Sequence, residues 1–82
     1  MKITLYGRKG DAYTVAYKNF LKSTEVAFTF MDVSLDEDAK RHTKELYEGA
    51  IKYPTLIVED DVYLTPTSET FNKVMQDLKL RG

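Results

Sequence analysis

The residues best suited to chemistry lie in one short stretch, Gly7-Arg8-Lys9-Gly10-Asp11-Ala12-Tyr13-Thr14. Two glycines punctuate it, two cations and a carboxylate occupy it, and a helical apolar period begins at its end. A loop that leaves a strand and opens a helix gathers free backbone N–H groups and the positive end of the helix dipole at the surface, a setting that favours anions. Asp11 stands where its carboxylate can cap that helix, accepting the N–H of Tyr13 or Thr14. The chain contains no cysteine. Disulfides, zinc–thiolate sites and a thiol nucleophile on this chain are therefore excluded.

Such a loop works only if flanking elements hold it. Lys2 to Tyr6 alternates, Ile3 and Leu5 against Lys2, Thr4 and Tyr6, which predicts a first strand. From Tyr13 the period turns helical, with Tyr13, Ala16, Tyr17, Phe20 and Leu21 at i, i+3, i+4, i+7 and i+8 as the expected inner stripe and Ser23-Thr24 as the end. Val26 to Met31 is β-branched and aromatic on both faces, as in a strand covered on both sides. Ser34 precedes Glu37 at capping-box spacing. The second helix is then expected to run to about Glu48, with Ala39, Thr43, Leu46, Tyr47 and Ala50 inward, Asp36–Lys40 and Glu37–Arg41 paired outside, and Gly49 as its C′ residue. Thr55 to Val58 and Val62 to Leu64, joined by Glu59-Asp60-Asp61, predict an antiparallel hairpin. Thr65-Pro66-Thr67-Ser68 caps a last helix with Phe71, Val74, Met75 and Leu78 inward.

The order is βαβαββα, an α/β chain of one domain, residues 1–82. The first two strands should be parallel through a right-handed crossover, giving a four-stranded mixed sheet with helices on both faces. A chain of 82 residues hides only about 60–65% of its unfolded surface, so modest stability and a monomer are expected. With 12 basic and 13 acidic residues there is no global field for nucleic acid or an acidic membrane. No apolar run approaches a membrane span, and no leader precedes the first strand, so the cytoplasm is the expected location.

This order, with the loop at Gly7–Thr14 and Pro54 heading the third strand, resembles the glutaredoxin branch of the thioredoxin fold over almost the whole chain. Ile3-Thr4-Leu5-Tyr6 is similar to the family's first strand, Lys18-Asn19-Phe20-Leu21 to its helix end, and Val26-Ala27-Phe28 to its second strand. Asp11-Ala12-Tyr13-Thr14 falls where glutaredoxins carry Cys-Pro-Tyr-Cys, and Tyr53-Pro54 falls on the family's Val-Pro step, whose proline is cis. Pro54-Thr55-Leu56 and Leu64-Thr65-Pro66-Thr67 also resemble the N-terminal domain of glutathione transferases, which read Pro-x-Leu and then Leu-Thr-Glu-Ser. The departures fall on the chemistry. Asp11 replaces the thiolate nucleophile and Thr14 the resolving cysteine, with no general base evident beside that hydroxyl. Leu64-Thr65 replace a glycine pair.

The resemblance implies a ligand groove formed by Arg8, Asp11, Tyr13, Tyr53, Pro54, Thr67 and Ser68. Arg8 stands where glutaredoxins often place a lysine for glutathione's glycyl carboxylate; with Lys9 it also reads as a solvated loop cation. The backbone before Pro54 could pair with an extended peptide or a γ-glutamyl group, and Thr67-Ser68 lie where the family holds the γ-glutamyl carboxylate. Asp11, Thr67 and Ser68 are also explained as helix caps, and Tyr53-Pro54 as a turn the fold imposes. Tyr6 reads as the end of a strand and His42, the only histidine, as a boundary residue. Glu59-Asp60-Asp61 reads as a solvated turn, without the ligand set of a calcium loop. The expected function is a binding module without redox cysteines, for an extended peptide, a partner protein or glutathione, with no catalytic residue, metal or resident cofactor. Two alternatives stand beside it: a transferase-like enzyme that activates glutathione with Tyr13 or Thr14, and a cysteine-substituted form of an active glutaredoxin.

Overall fold

The computed structural model describes residues 2–81, with side chains described as far as residue 78. Seven elements follow one another: β1 (Ile3–Gly7), α1 (Ala12–Ser23), β2 (Thr29–Asp32), α2 (Glu37–Leu46), β3 (Thr55–Val58), β4 (Asp61–Leu64) and α3 (Ser68–Arg81). The sheet order is β2-β1-β3-β4. β1 runs parallel to β2, with Leu5 opposite Phe30, and antiparallel to β3, with Leu5 opposite Leu56. β3 and β4 close the antiparallel hairpin, with Val58 opposite Asp61.

Alternation along the strands divides the core into two layers. Ile3, Leu5, Leu56 and Val58 face Tyr17 and Leu21 of α1 and Phe71, Val74, Met75 and Leu78 of α3. Tyr6 faces the other way and packs with Val33 and with Ala39 of α2, flanked by Met31, Tyr53 and Ile57. The mixed sheet and the helices on both faces thus follow the sequence reading, as does the buried stripe of α3.

Several local expectations are corrected. The alternating first strand is one of the two interior strands and is buried throughout, Thr4 and Tyr6 included. The apolar run from Val26 instead ends in an edge strand that starts only at Thr29, and Ala27 and Thr29 are exposed. The inner face of α1 is Thr14, Tyr17 and Leu21; Ala16 is exposed, Tyr13 is 62% exposed and Phe20 lies at the margin, its ring edge-on to Phe71. α2 is capped by Asp36, which accepts the N–H of Ala39, so the Ser34–Glu37 capping box does not form. Its ion pairs are Glu37–Lys40 and Asp38–Arg41, one residue closer than expected. The helix stops at Leu46 and Ala50 is exposed. Glu48, at φ 55°, takes the left-handed C′ position assigned to Gly49, and Gly49 N–H returns to the Lys44 carbonyl at 2.7 Å, the outer bond of a Schellman turn. Asp61 belongs to β4, which shortens the hairpin turn to Glu59-Asp60.

Candidate functional site

The loop after β1 is fixed from both ends. Asp32, at the end of β2, accepts the N–H of Lys9 at 3.2 Å on one oxygen and the N–H of Ser34 at 2.8 Å on the other, with the Ser34 hydroxyl also donating to it. The Ser34 hydroxyl is the main reason the Asp32 carboxyl titrates below its ordinary value; the two backbone N–H groups and the Lys9 charge add to this against the effect of burial. At the other end, Asp11 caps α1 as expected. Its Oδ2 accepts both the N–H and the hydroxyl of Thr14, each at 2.9 Å, and the N–H of Arg8 donates to the Thr14 hydroxyl oxygen at 3.3 Å.

Thr14 is thereby corrected in two respects. A carboxylate does stand beside its hydroxyl, but the side chain is 1% exposed and its proton is committed to Asp11. The residue closes the loop and presents no nucleophile to solvent. Gly7 explains how the packing is reached: a Cβ at that position would collide with the Thr14 side chain, so only glycine lets β1 end against the first turn of α1.

Two depressions open beside this staple. The first, about 370 Å³, is walled by Tyr13, Tyr17, Tyr53, Pro54 and the run Thr65-Pro66-Thr67-Ser68. The second, about 410 Å³, is lined by Arg8, Gly10, Asp11 and Tyr53. The seven candidate residues therefore divide: Tyr13, Tyr53, Pro54, Thr67 and Ser68 share the groove, Arg8 and Asp11 share the neighbouring cleft, and the Tyr53 ring is common to both. The Tyr53-Pro54 peptide bond is cis. Tyr53 lies outside every strand, and among the described residues its N–H and carbonyl take no backbone partner. The Arg8 guanidinium faces the Tyr53 phenol, a contact that holds its pKa above the ordinary value and keeps it a fixed cation.

Thr67 is the N-cap of α3: its hydroxyl oxygen accepts the N–H of Thr70 at 3.2 Å, and Ser68 opens the helix. Tyr6 stays out of the groove. It lies on the α2 face with its hydroxyl 2.8 Å from His42 Nδ1 and the two rings edge-to-face, which gives the lone histidine a phenolic partner. Burial, and then the charge of Asp36, raise the Tyr6 pKa.

Three supporting residues were not legible as such. Tyr17 read as core and is core, stacked on Phe71 at 4.1 Å, yet its hydroxyl donates to the Pro66 carbonyl at 2.7 Å and fixes the groove wall. Tyr47 read as part of an inner stripe. Its hydroxyl lies 2.6 Å from the Thr55 hydroxyl and accepts the N–H of Thr65 at 3.0 Å. Thr65, in the left-handed region at φ 39°, stands where the resembled family has its second glycine. Asp32 read only as a polar break; the Asp-x-Ser spacing of an Asx turn was the available signal.

Among solved structures, the chain is similar to a point mutant of the thioredoxin-like protein BC3987, at 27% identity and a TM-score of 0.77, with 94% of each chain covered. It is also similar to the glutaredoxin-like NrdH-redoxin from Escherichia coli, at 20% identity and a TM-score of 0.70 over 90% of this chain and 95% of that one. The glutaredoxin from Archaeoglobus fulgidus matches at 18% identity and a TM-score of 0.70 over 90% and 85%. No family model matches the sequence, and no curated protein does. The fold is thioredoxin-like and glutaredoxin-like, in a chain with no cysteine. Among the described residues no helix is long and apolar enough to cross a membrane.

Proposed function

We propose that this chain is a binding module of the thioredoxin-like fold that has given up thiol chemistry and holds an extended peptide segment of a partner protein in the groove beside Tyr53-Pro54. The observation that carries this reading is the union of Asp11 and Thr14. The positions at which the resembled family exchanges disulfides hold a carboxylate and a hydroxyl bonded to each other, while the adjoining groove stays open and walled by three tyrosine rings. Amphipathic rings suit a segment with both apolar and polar groups, and the unpaired backbone of Tyr53 offers a donor and an acceptor to an extended strand. Glutathione is the smaller ligand of the same shape, with Arg8 and the start of α3 as its anion partners; the module is expected to work as a monomer in the cytoplasm.

Catalysis through Thr14 is disfavoured by its burial. Tyr13 is exposed, with Tyr17 its only ring neighbour among the described residues at 6.3 Å, so no group among them prepares its phenol to activate a thiol.

The test is a two-dimensional NMR titration of the labelled chain with capped extended peptides and, separately, with reduced glutathione. Saturable shifts confined to Tyr13, Tyr53, Thr65, Thr67 and Ser68 are expected with peptide. Spectra unchanged at millimolar ligand in both series would sink the proposal.

A further inference from the structure

Asp11 is only half used by the fold. One carboxylate oxygen takes both Thr14 donors, and among the described residues neither a second donor nor an ion pair engages the other. The group is partly exposed and lines the cleft that shares Tyr53 with the tyrosine-walled groove. Arg8 borders the same cleft, yet it is not drawn into an ion pair with Asp11; its guanidinium faces the Tyr53 phenol instead. An open carboxylate therefore lies in the cleft that adjoins an aromatic groove at Tyr53.

We propose that the groove selects a partner segment carrying a lysine or arginine side chain, with Asp11 as the counter-charge and the rings of Tyr53 and Tyr13 as the walls along which that side chain lies. This rests on the peptide-binding reading above and adds the charge class of the ligand. The aliphatic stem of a basic side chain covers aromatic surface while its head stays polar, and a cation over a tyrosine face gains attraction beyond contact area. An anion brought to the same place meets the Asp11 charge, which opposes the thiolate ligands that the resembled family handles. Arg8, which lines the same cleft, and Lys9 beside it on the loop are the like charges that act against the selection.

The experiment uses the whole chain and three acetylated, amidated extended peptides that differ only in a central lysine, norleucine or glutamate, followed by NMR. The lysine peptide is expected to bind about fivefold more tightly than the norleucine peptide. The margin should shrink with added salt. Asp11→Asn, which retains a capping oxygen for α1, should bring the two peptides level, and Arg8→Gln should widen the gap. Equal binding of all three peptides overturns the charge inference and leaves the groove reading standing. Tightest binding by the glutamate peptide, or a lysine preference that survives Asp11→Asn, also overturns it. If no peptide produces shifts, the groove reading falls with it.

Discussion

The Asp11–Thr14 staple can be dissected because its bonds converge on one oxygen. Thr14→Val keeps the branched shape against Gly7 and removes the hydroxyl, together with the long 3.3 Å bond it accepts from the Arg8 N–H, a loss common to the single and double variants that cancels from their coupling. A hydrogen bond to a charged group contributes about 1.5–3 kcal/mol, so the variant should lose about 2 kcal/mol. Asp11→Ala removes that bond and also the cap bond to the Thr14 N–H, worth about 1 kcal/mol, for a loss of about 3 kcal/mol. In the double variant each bond is lost once, so its cost should stay at about 3 kcal/mol, against about 5 for independent sites, a coupling of about 2 kcal/mol. A domain of this size has about 4–12 kcal/mol in total, so all three variants should fold. Urea unfolding followed by far-ultraviolet circular dichroism reads these losses directly. With m of about 1 kcal/mol/M, the midpoints should fall by about 2 M for Thr14→Val and about 3 M for the other two. Singles that add to within about 0.5 kcal/mol in the double variant would refute the claim that one carboxylate holds both donors.

Three further outcomes are expected. The double substitution Asp11→Cys/Thr14→Cys should form a disulfide that dithiothreitol reduces, with the thiol at position 11 titrating below an ordinary cysteine because it stands at the amino end of α1; iodoacetamide labelling against pH measures this, and an ordinary thiol pKa there contradicts the assigned geometry. Thr65→Gly should raise the unfolding midpoint by about 1 kcal/mol equivalent, because a β-branched residue at φ 39° is strained and glycine is not; unchanged or lower stability counts against the strain. Asp32 is held below its ordinary value of 3.8, so its contribution is fully present above that pH and is lost as the pH falls through the lower folded value. The midpoint of wild-type protein should therefore drop more steeply on acidification than that of Asp32→Asn, and parallel curves would refute the assignment.

The elements and their order were legible because each carried its own period and punctuation: the 3.6-residue stripe of Phe71, Val74, Met75 and Leu78 lies buried as read. What escaped was whatever depends on position within the sheet. Alternation at Ile3 and Leu5 announced a strand but not its place: β1 is interior to the sheet, and Thr4 and Tyr6 are buried by packing that no local window reports. The Val26–Met31 run suggested a strand covered on both sides, yet it ends in an edge strand, with Phe28 and Phe30 packed against the core cluster that α1 and α3 share. The burial of Thr14 was not legible because the partner that makes it possible, Gly7, is a residue without a side chain. The candidate groove was readable only in outline. Tyr13, Tyr53, Pro54, Thr67 and Ser68 do converge, but Arg8 and Asp11 line a neighbouring cleft that shares only Tyr53 with the groove, a division that spacing along the chain does not encode.

The phenol oxygen of Tyr47 joins the carboxyl end of α2 to the first residue of β3 and to the segment that roofs the groove. Back and front of the sheet are therefore mechanically linked through one atom. A sequence change that slides α2 will move Thr65 with it and alter the mouth of the groove from behind, so neutral-looking drift on the α2 face is a route by which ligand preference can change without any substitution among the lining residues.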